Sequence, residues 1–169
     1  MVMAKVKRRV GGPAWQPGEP TLTASGIAEA LRPIAPDVPG TVQKIRYWTR
    51  EEMLLPVAQQ HAGTGRHRQY AETAVFDAAI LFVAANVGLN IETLRHMVDA
   101  LTLARFALPK WREAKRRDQA FPLFLKISQI HIHRMEVVVD EHFPKPGAET
   151  LICLDLDMLW SKIAGHRGR

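Results

Sequence analysis

The chain is poor in cysteine and in long apolar runs, and each shortage narrows what it can be. Cys153 is the single cysteine among 169 residues, which excludes an intrachain disulfide framework and a cysteine-rich zinc site and fits a reducing compartment. It lies in the apolar run Leu151-Ile152-Cys153-Leu154 and is expected to be a buried small hydrophobe. No stretch is apolar for long enough to cross a bilayer, and the basic start (Lys5, Lys7, Arg8, Arg9) has no apolar run behind it. Neither a membrane span nor a secretory signal is expected, and the expected location is cytoplasmic. A phosphate-cradling glycine motif is missing, as is a Gly-x-Ser-x-Gly context around Ser128. Glu136, Asp140, Asp155 and Asp157 have no nucleophile beside them. No enzyme and no cofactor are therefore expected. His131 and His133 alternate with Ile130 and Ile132 and would share one face of a strand, with His142 not far along. A third or fourth ligand is not evident, so no metal is expected.

What is present is an ordinary globular composition, 47% hydrophobic and 24% charged, with a net charge of +6. Such a chain can bury a core, and its basic balance favours nucleic acid, an anionic membrane or an acidic protein as partner without choosing among them.

Residues 1–20 combine a basic cluster with Gly11, Gly12, Pro13, Pro17, Gly18 and Pro20 and read as a flexible arm. A short helix is expected over 23–31, capped by Thr23, with Ile27, Ala28 and Leu31 on one face. Pro33, Pro36 and Pro39 then predict an extended connection. A second helix is expected from Thr41, its cap, to about 52. Val42, Ile45 and Thr49 lie along one side of it, and Gln43, Lys44, Arg46, Tyr47 and Arg50 lie mostly on the others. Trp48 reads as a core aromatic. Residues 57–70 carry Gly63 and Gly65 for a turn, followed by Arg66, His67 and Arg68, and predict a basic hairpin.

An amphipathic helix over 72–87 follows from Phe76, Ile80, Val83 and Val87, with Gly88 as its stop. Asn90 caps the next helix, which would bury Ile91, Leu94, Val98 and Leu101 and reach 107. Three strands are expected over 121–127, 131–139 and 150–156, with a turn at 144–147 and a closing helix over 157–164.

The order helix, turn, helix, basic hairpin, helix, helix suits a small helical core that presents one helix and one loop to a duplex. Gln43 and Lys44, near the start of the second helix, are the expected base contacts, since Gln pairs with adenine and Lys with guanine. The run Lys44-Ile45-Arg46-Tyr47-Trp48-Thr49-Arg50-Glu51-Glu52-Met53-Leu54-Leu55-Pro56, then Gly65-Arg66-His67-Arg68-Gln69-Tyr70, then Gly88-Leu89-Asn90-Ile91-Glu92-Thr93-Leu94, resembles the MerR family of bacterial regulators over roughly residues 22–105. The resemblance implies that Arg46 and Tyr47 hold phosphates, that Arg66 and Arg68 are wing contacts, and that Tyr70 anchors the wing to the third helix. It also implies a homodimer on a palindromic promoter site, with RNA polymerase as a further partner. Met53 stands where the family has its glycine, so the turn there is not expected to use a positive φ.

The expected fold is mainly α with a small β region: a winged helix-turn-helix over 21–108, then a short antiparallel strand-rich region over 109–169 for dimerisation or effector binding. The expected function is sequence-specific binding of double-stranded DNA in transcription regulation. Helix 41–52 would enter the major groove, with the wing 57–70 on the flanking backbone. The expected contacts are Thr41, Gln43, Lys44, Arg46, Tyr47, Arg50, Arg66, His67, Arg68 and Tyr70. An architectural, excisionase-like DNA-bending protein and a protein-interaction adaptor on the same fold are the alternatives.

Overall fold

Helix α1 (Ala24–Ala30) opens where Thr23 Oγ1 accepts the Gly26 N–H at 3.1 Å, the capping role its residue type predicts. A computed structural model of the chain describes residues 20–57, 68–103, 113, 117, 124–131, 134–140 and 150–164. After α1 the Leu31 carbonyl accepts the N–H groups of Ile34 and Ala35 at 2.9 and 2.8 Å. The connection is thus a tight turn and not the extended link that its prolines predict. Pro39 is no part of it: it lies in the first turn of α2 (Val38–Arg50), where a helix needs no N–H donor and the fixed φ of proline is already helical.

The cap of α2 is Asp37, not Thr41. Asp37 Oδ1 accepts the Gly40 N–H at 3.1 Å, and its carbonyl accepts the Thr41 hydroxyl at 2.7 Å. A Cβ at position 40 would lie 2.1 Å from Asp37 Oδ2, so the bare glycine lets the carboxylate fold over the helix start. At the other end the Glu52 N–H donates to the Thr49 carbonyl at 3.2 Å and the Met53 N–H to the Trp48 carbonyl at 2.9 Å. This is a Schellman closure, sealed by the burial of Trp48 and Met53. The left-handed residue it requires is Glu52, with φ 60°. The turn therefore does use a positive φ, one position before Met53.

Helix α3 (Ala74–Asn86) is buried on every side, with Val75, Phe76, Ala79, Ile80, Leu81 and Ala84 all in the core. The expected one-faced stripe fails at its end, where Val87 is 54% exposed. A helix apolar all round belongs inside a core, not on its edge. Gly88, at φ 89°, turns the chain into α4 (Ile91–Leu103), whose Asn90 cap accepts the Thr93 N–H at 2.9 Å. Among its described side chains Thr93, Leu94 and Met97 are buried, while Ile91 and Val98 are half-buried; the Leu101 side chain and the expected extension to 107 lie outside the described residues.

Strands β1 (Thr21–Leu22) and β2 (Tyr70–Ala71) pair antiparallel, Leu22 against Tyr70. A second antiparallel sheet, in the order β4-β3-β5, joins β3 (Phe124–His131), β4 (Arg134–Asp140) and β5 (Thr150–Asp155). His131 ends β3 and pairs with Arg134, which opens β4. The chain reverses there, so the single strand expected over 131–139 gives way to one strand that ends at His131 and another that begins at Arg134. His133, His142 and the turn expected at 144–147 lie outside the described residues. Asp155 Oδ1 accepts the N–H groups of Asp157 and Met158, both at 2.9 Å. Its carboxylate caps α5 (Leu156–Ala164). Helix α5 adds Leu156, Leu159 and Ile163 to the core that surrounds α3, and its Trp160 ring meets Phe76 edge-on at 6.0 Å. Among the described residues the fold is mainly helical, with five helices and two small antiparallel sheets.

The two left-handed positions predict opposite effects. Glu52→Gly relieves a side chain held at positive φ and should raise unfolding stability by about 0.5 to 1 kcal/mol. Gly88→Ala introduces that strain and should cost about 1 kcal/mol. Urea unfolding of both variants measures the pair, and a shift of the midpoint in the same direction for both would contradict the backbone assignment.

Candidate nucleic-acid interface

The cap at Asp37 and the closure at Glu52 set the ends of α2, and the side it buries decides which face meets solvent. Thr41, Ile45, Trp48 and Thr49 are buried. Gln43, Arg46, Tyr47 and Arg50, spaced i, i+3, i+4 and i+7, form one exposed stripe. Arg46 makes no ion pair or hydrogen bond among the described residues. Arg50 lies over the Tyr47 ring, its guanidinium carbon 5.2 Å from the ring centroid, and its Nε is 3.6 Å from Glu51 Oε1.

Three of the expected contacts take other roles. Thr41 is 2% exposed and bonds its own helix cap, so it lies off the surface. Tyr70 is 1% exposed; its hydroxyl lies 2.8 Å from Thr49 Oγ1 on α2, so it ties β2 to the second helix, within the core that also holds the third. The Thr49 hydroxyl proton is already donated to the Ile45 carbonyl at 2.8 Å, which makes Tyr70 the donor of the shared bond. Lys44 is exposed, but it points away from the stripe. Its Nζ donates to Asn86 Oδ1 at 3.3 Å and sits 4.5 Å from the centroid of the Phe82 ring. It thereby pins α2 to the last turn of α3, where a cation also meets the helix carbonyls favourably.

Behind α2 the Val57 N–H donates to the Gln69 carbonyl at 2.8 Å. The chain therefore departs for residues 58–67 and returns from them at one place, next to the exposed Arg68. Gly63, Gly65, Arg66 and His67 lie outside the described residues. Two residues that sequence reasoning did not single out join the site. Glu51 closes α2, and Arg95 of α4 donates to Glu51 Oε2 at 2.6 Å. They are 44 positions apart, and no local pattern announces such a pair.

The arrangement offers cationic forks and an amide, which bind phosphate oxygens and base edges. Among the described residues no group of three or more His, Cys, Asp or Glu could hold a metal ion, and no helix is long and apolar enough to cross a membrane. Cys153 lies on β5, opposite Lys126 on β3. Its thiol is pushed above the ordinary value, mainly by burial, against the pull of Lys126; it is half-buried rather than enclosed. Compared with known protein families and with characterised proteins, the chain matches no family model and no characterised sequence.

The buried hydroxyl pair gives an ordered prediction. Tyr70→Phe leaves Thr49 its bond to Ile45 and should cost about 1 kcal/mol, whereas Thr49→Val strands the Tyr70 hydroxyl in the core and should cost about 1 to 3 kcal/mol. Chemical unfolding of the two variants checks the order; equal losses would place Tyr70 elsewhere.

Proposed function

We propose that this protein is a sequence-specific double-stranded DNA-binding regulator of the winged helix-turn-helix type. Helix α2 serves as the recognition helix, and the segment around Arg68 serves as the wing. The observation that carries this is the exposed Gln43-Arg46-Tyr47-Arg50 stripe on a helix whose other side is locked into the core. A stripe of this composition suits the major groove, which admits one helix and presents acceptors to Arg and paired donor–acceptor edges to Gln. Support also comes from the tight α1–α2 turn, from the β1–β2 pair, and from the Val57–Gln69 bond, which brings the two ends of the 58–67 segment together beside Arg68. The likeness of residues 44–56, 65–70 and 88–94 to MerR regulators fits the same assignment and adds a homodimer on a palindromic site, with RNA polymerase as a partner.

In this reading Lys44 is a structural residue, and base reading at the start of α2 falls to Gln43. Arg46→Ala should weaken duplex binding by about tenfold and lower the slope of log affinity against log salt by about 0.9. Lys44→Met, which keeps the packing on Phe82, should leave both nearly unchanged. Selection of duplexes from a random pool, followed by salt titration of the enriched site, tests the assignment. No enrichment, or equal effects of the two substitutions, would overturn it.

A further inference from the structure

Glu51 poses a problem for any anion-binding face: it is a carboxylate at the end of the cationic stripe of α2. A bare acidic group there repels phosphate and lowers affinity. The structure shows that it is not bare. Its Oε2 receives Arg95 from α4 at 2.6 Å, and its Oε1 faces Arg50 Nε at 3.6 Å. Glu51 keeps only a quarter of its side-chain exposure, against 71% for Arg50. Arg50 is restrained a second time, by the Tyr47 ring beneath its guanidinium at 5.2 Å. The order Arg95, Glu51, Arg50, Tyr47 therefore runs from α4 onto the outward face of α2.

We propose that Glu51 is a positioning residue that favours DNA binding by orienting Arg50 as a bidentate fork. With Nε turned to the carboxylate and the ring under the plane, the two terminal amino groups of Arg50 are left facing outward. That edge matches two acceptors held side by side, either paired phosphate oxygens or the O6 and N7 of a guanine. Arg95 cancels the charge of Glu51, so the orienting group does not repel the ligand. Exposed ion pairs add little to stability; what this one supplies is a smaller loss of side-chain freedom on binding. The proposal rests on the DNA-binding reading of α2 and adds the part played by an acidic residue within it.

Charge arithmetic alone predicts that Glu51→Gln tightens DNA binding. Positioning predicts the reverse: a loss of about two- to tenfold, the usual range for one side chain that must be ordered on binding, with circular dichroism unchanged. The double-mutant cycle separates the two. In an Arg50→Ala background, Glu51→Gln should no longer weaken binding. If it tightens binding by the same factor in both backgrounds, Glu51 is only a repulsive charge and the proposal is wrong. Arg50→Ala also identifies the acceptor: loss of preference at one base position marks guanine, and a uniform loss with a salt slope lower by about one marks phosphate. Nitrogen-15 relaxation of Arg50 Nε in the free protein needs no DNA. Restricted motion that is released by Glu51→Gln supports the orientation, while a guanidinium as mobile in the wild type as in the variant overturns it even if the protein binds no duplex. A wild type that binds no duplex but holds Arg50 rigid sinks the DNA reading and, with it, the ligand side of this proposal.

Discussion

The described helical core is arranged around the burial of α3. A thirteen-residue helix, Ala74–Asn86, that is apolar on all sides cannot rest on one neighbour; it has to be enclosed. Each large side chain taken fully out of water stabilises the fold by about 1.5 to 3 kcal/mol, and Phe76, Ile80 and Leu81 are all fully buried. Enclosure is supplied by α1 and α2, by α4, and by α5 from the far end of the chain. Ile27, Ile45, Leu94 and Leu159 consequently belong to one core with Phe76. Small residues such as Ala78, Ala79 and Ala84 let these neighbours come close, as helix packing requires.

The outward face of α2 is a by-product of that enclosure. Once Ile45, Trp48 and Thr49 are committed to the core, the helical repeat leaves Gln43, Arg46, Tyr47 and Arg50 no side but the solvent. Polar bonds then set the exact pose of the helix. Asp37 fixes where it begins, the Schellman turn fixes where it ends, and the buried Thr49–Tyr70 bond holds it against β2. Lys44, bound to Asn86 above the Phe82 ring, keeps its rotation relative to α3. A rigid support of this kind is what a helix presented to a duplex needs, because base recognition depends on side-chain placement more than on total charge.

The same chemistry separates cations that look alike in a sequence. Lys44, Arg46, Arg50 and Arg95 are all surface charges, yet they have different occupations. Lys44 is a tether and Arg95 answers a carboxylate, while Arg50 is propped by a ring and a neighbouring acid. Arg46 is left without a partner among the described residues. The net charge of +6 therefore overstates how much positive charge the stripe itself has to offer a ligand.

The sequence by itself determined what depends on neighbours within a few positions. Thr23 and Asn90 cap their helices, Gly88 ends α3, and strands with a closing helix follow late in the chain, because caps, turns and periodic patterns act over one turn of backbone. The exposed stripe of α2 was also legible in that way. Where the sequence misled, either a competing local cap or a contact distant in sequence had decided the matter. Pro39 reads as a helix breaker until it is seen in a first turn, and Thr41 reads as a cap until Asp37 takes that place. Tyr70 reads as a surface contact until its hydroxyl finds Thr49, and α3 reads as amphipathic until α5 arrives to cover its last side. Only the tertiary structure joined Arg95 to Glu51 and Lys44 to Asn86, because a side chain chooses among partners by distance in space, and separations of 44 and 42 positions leave no periodic trace.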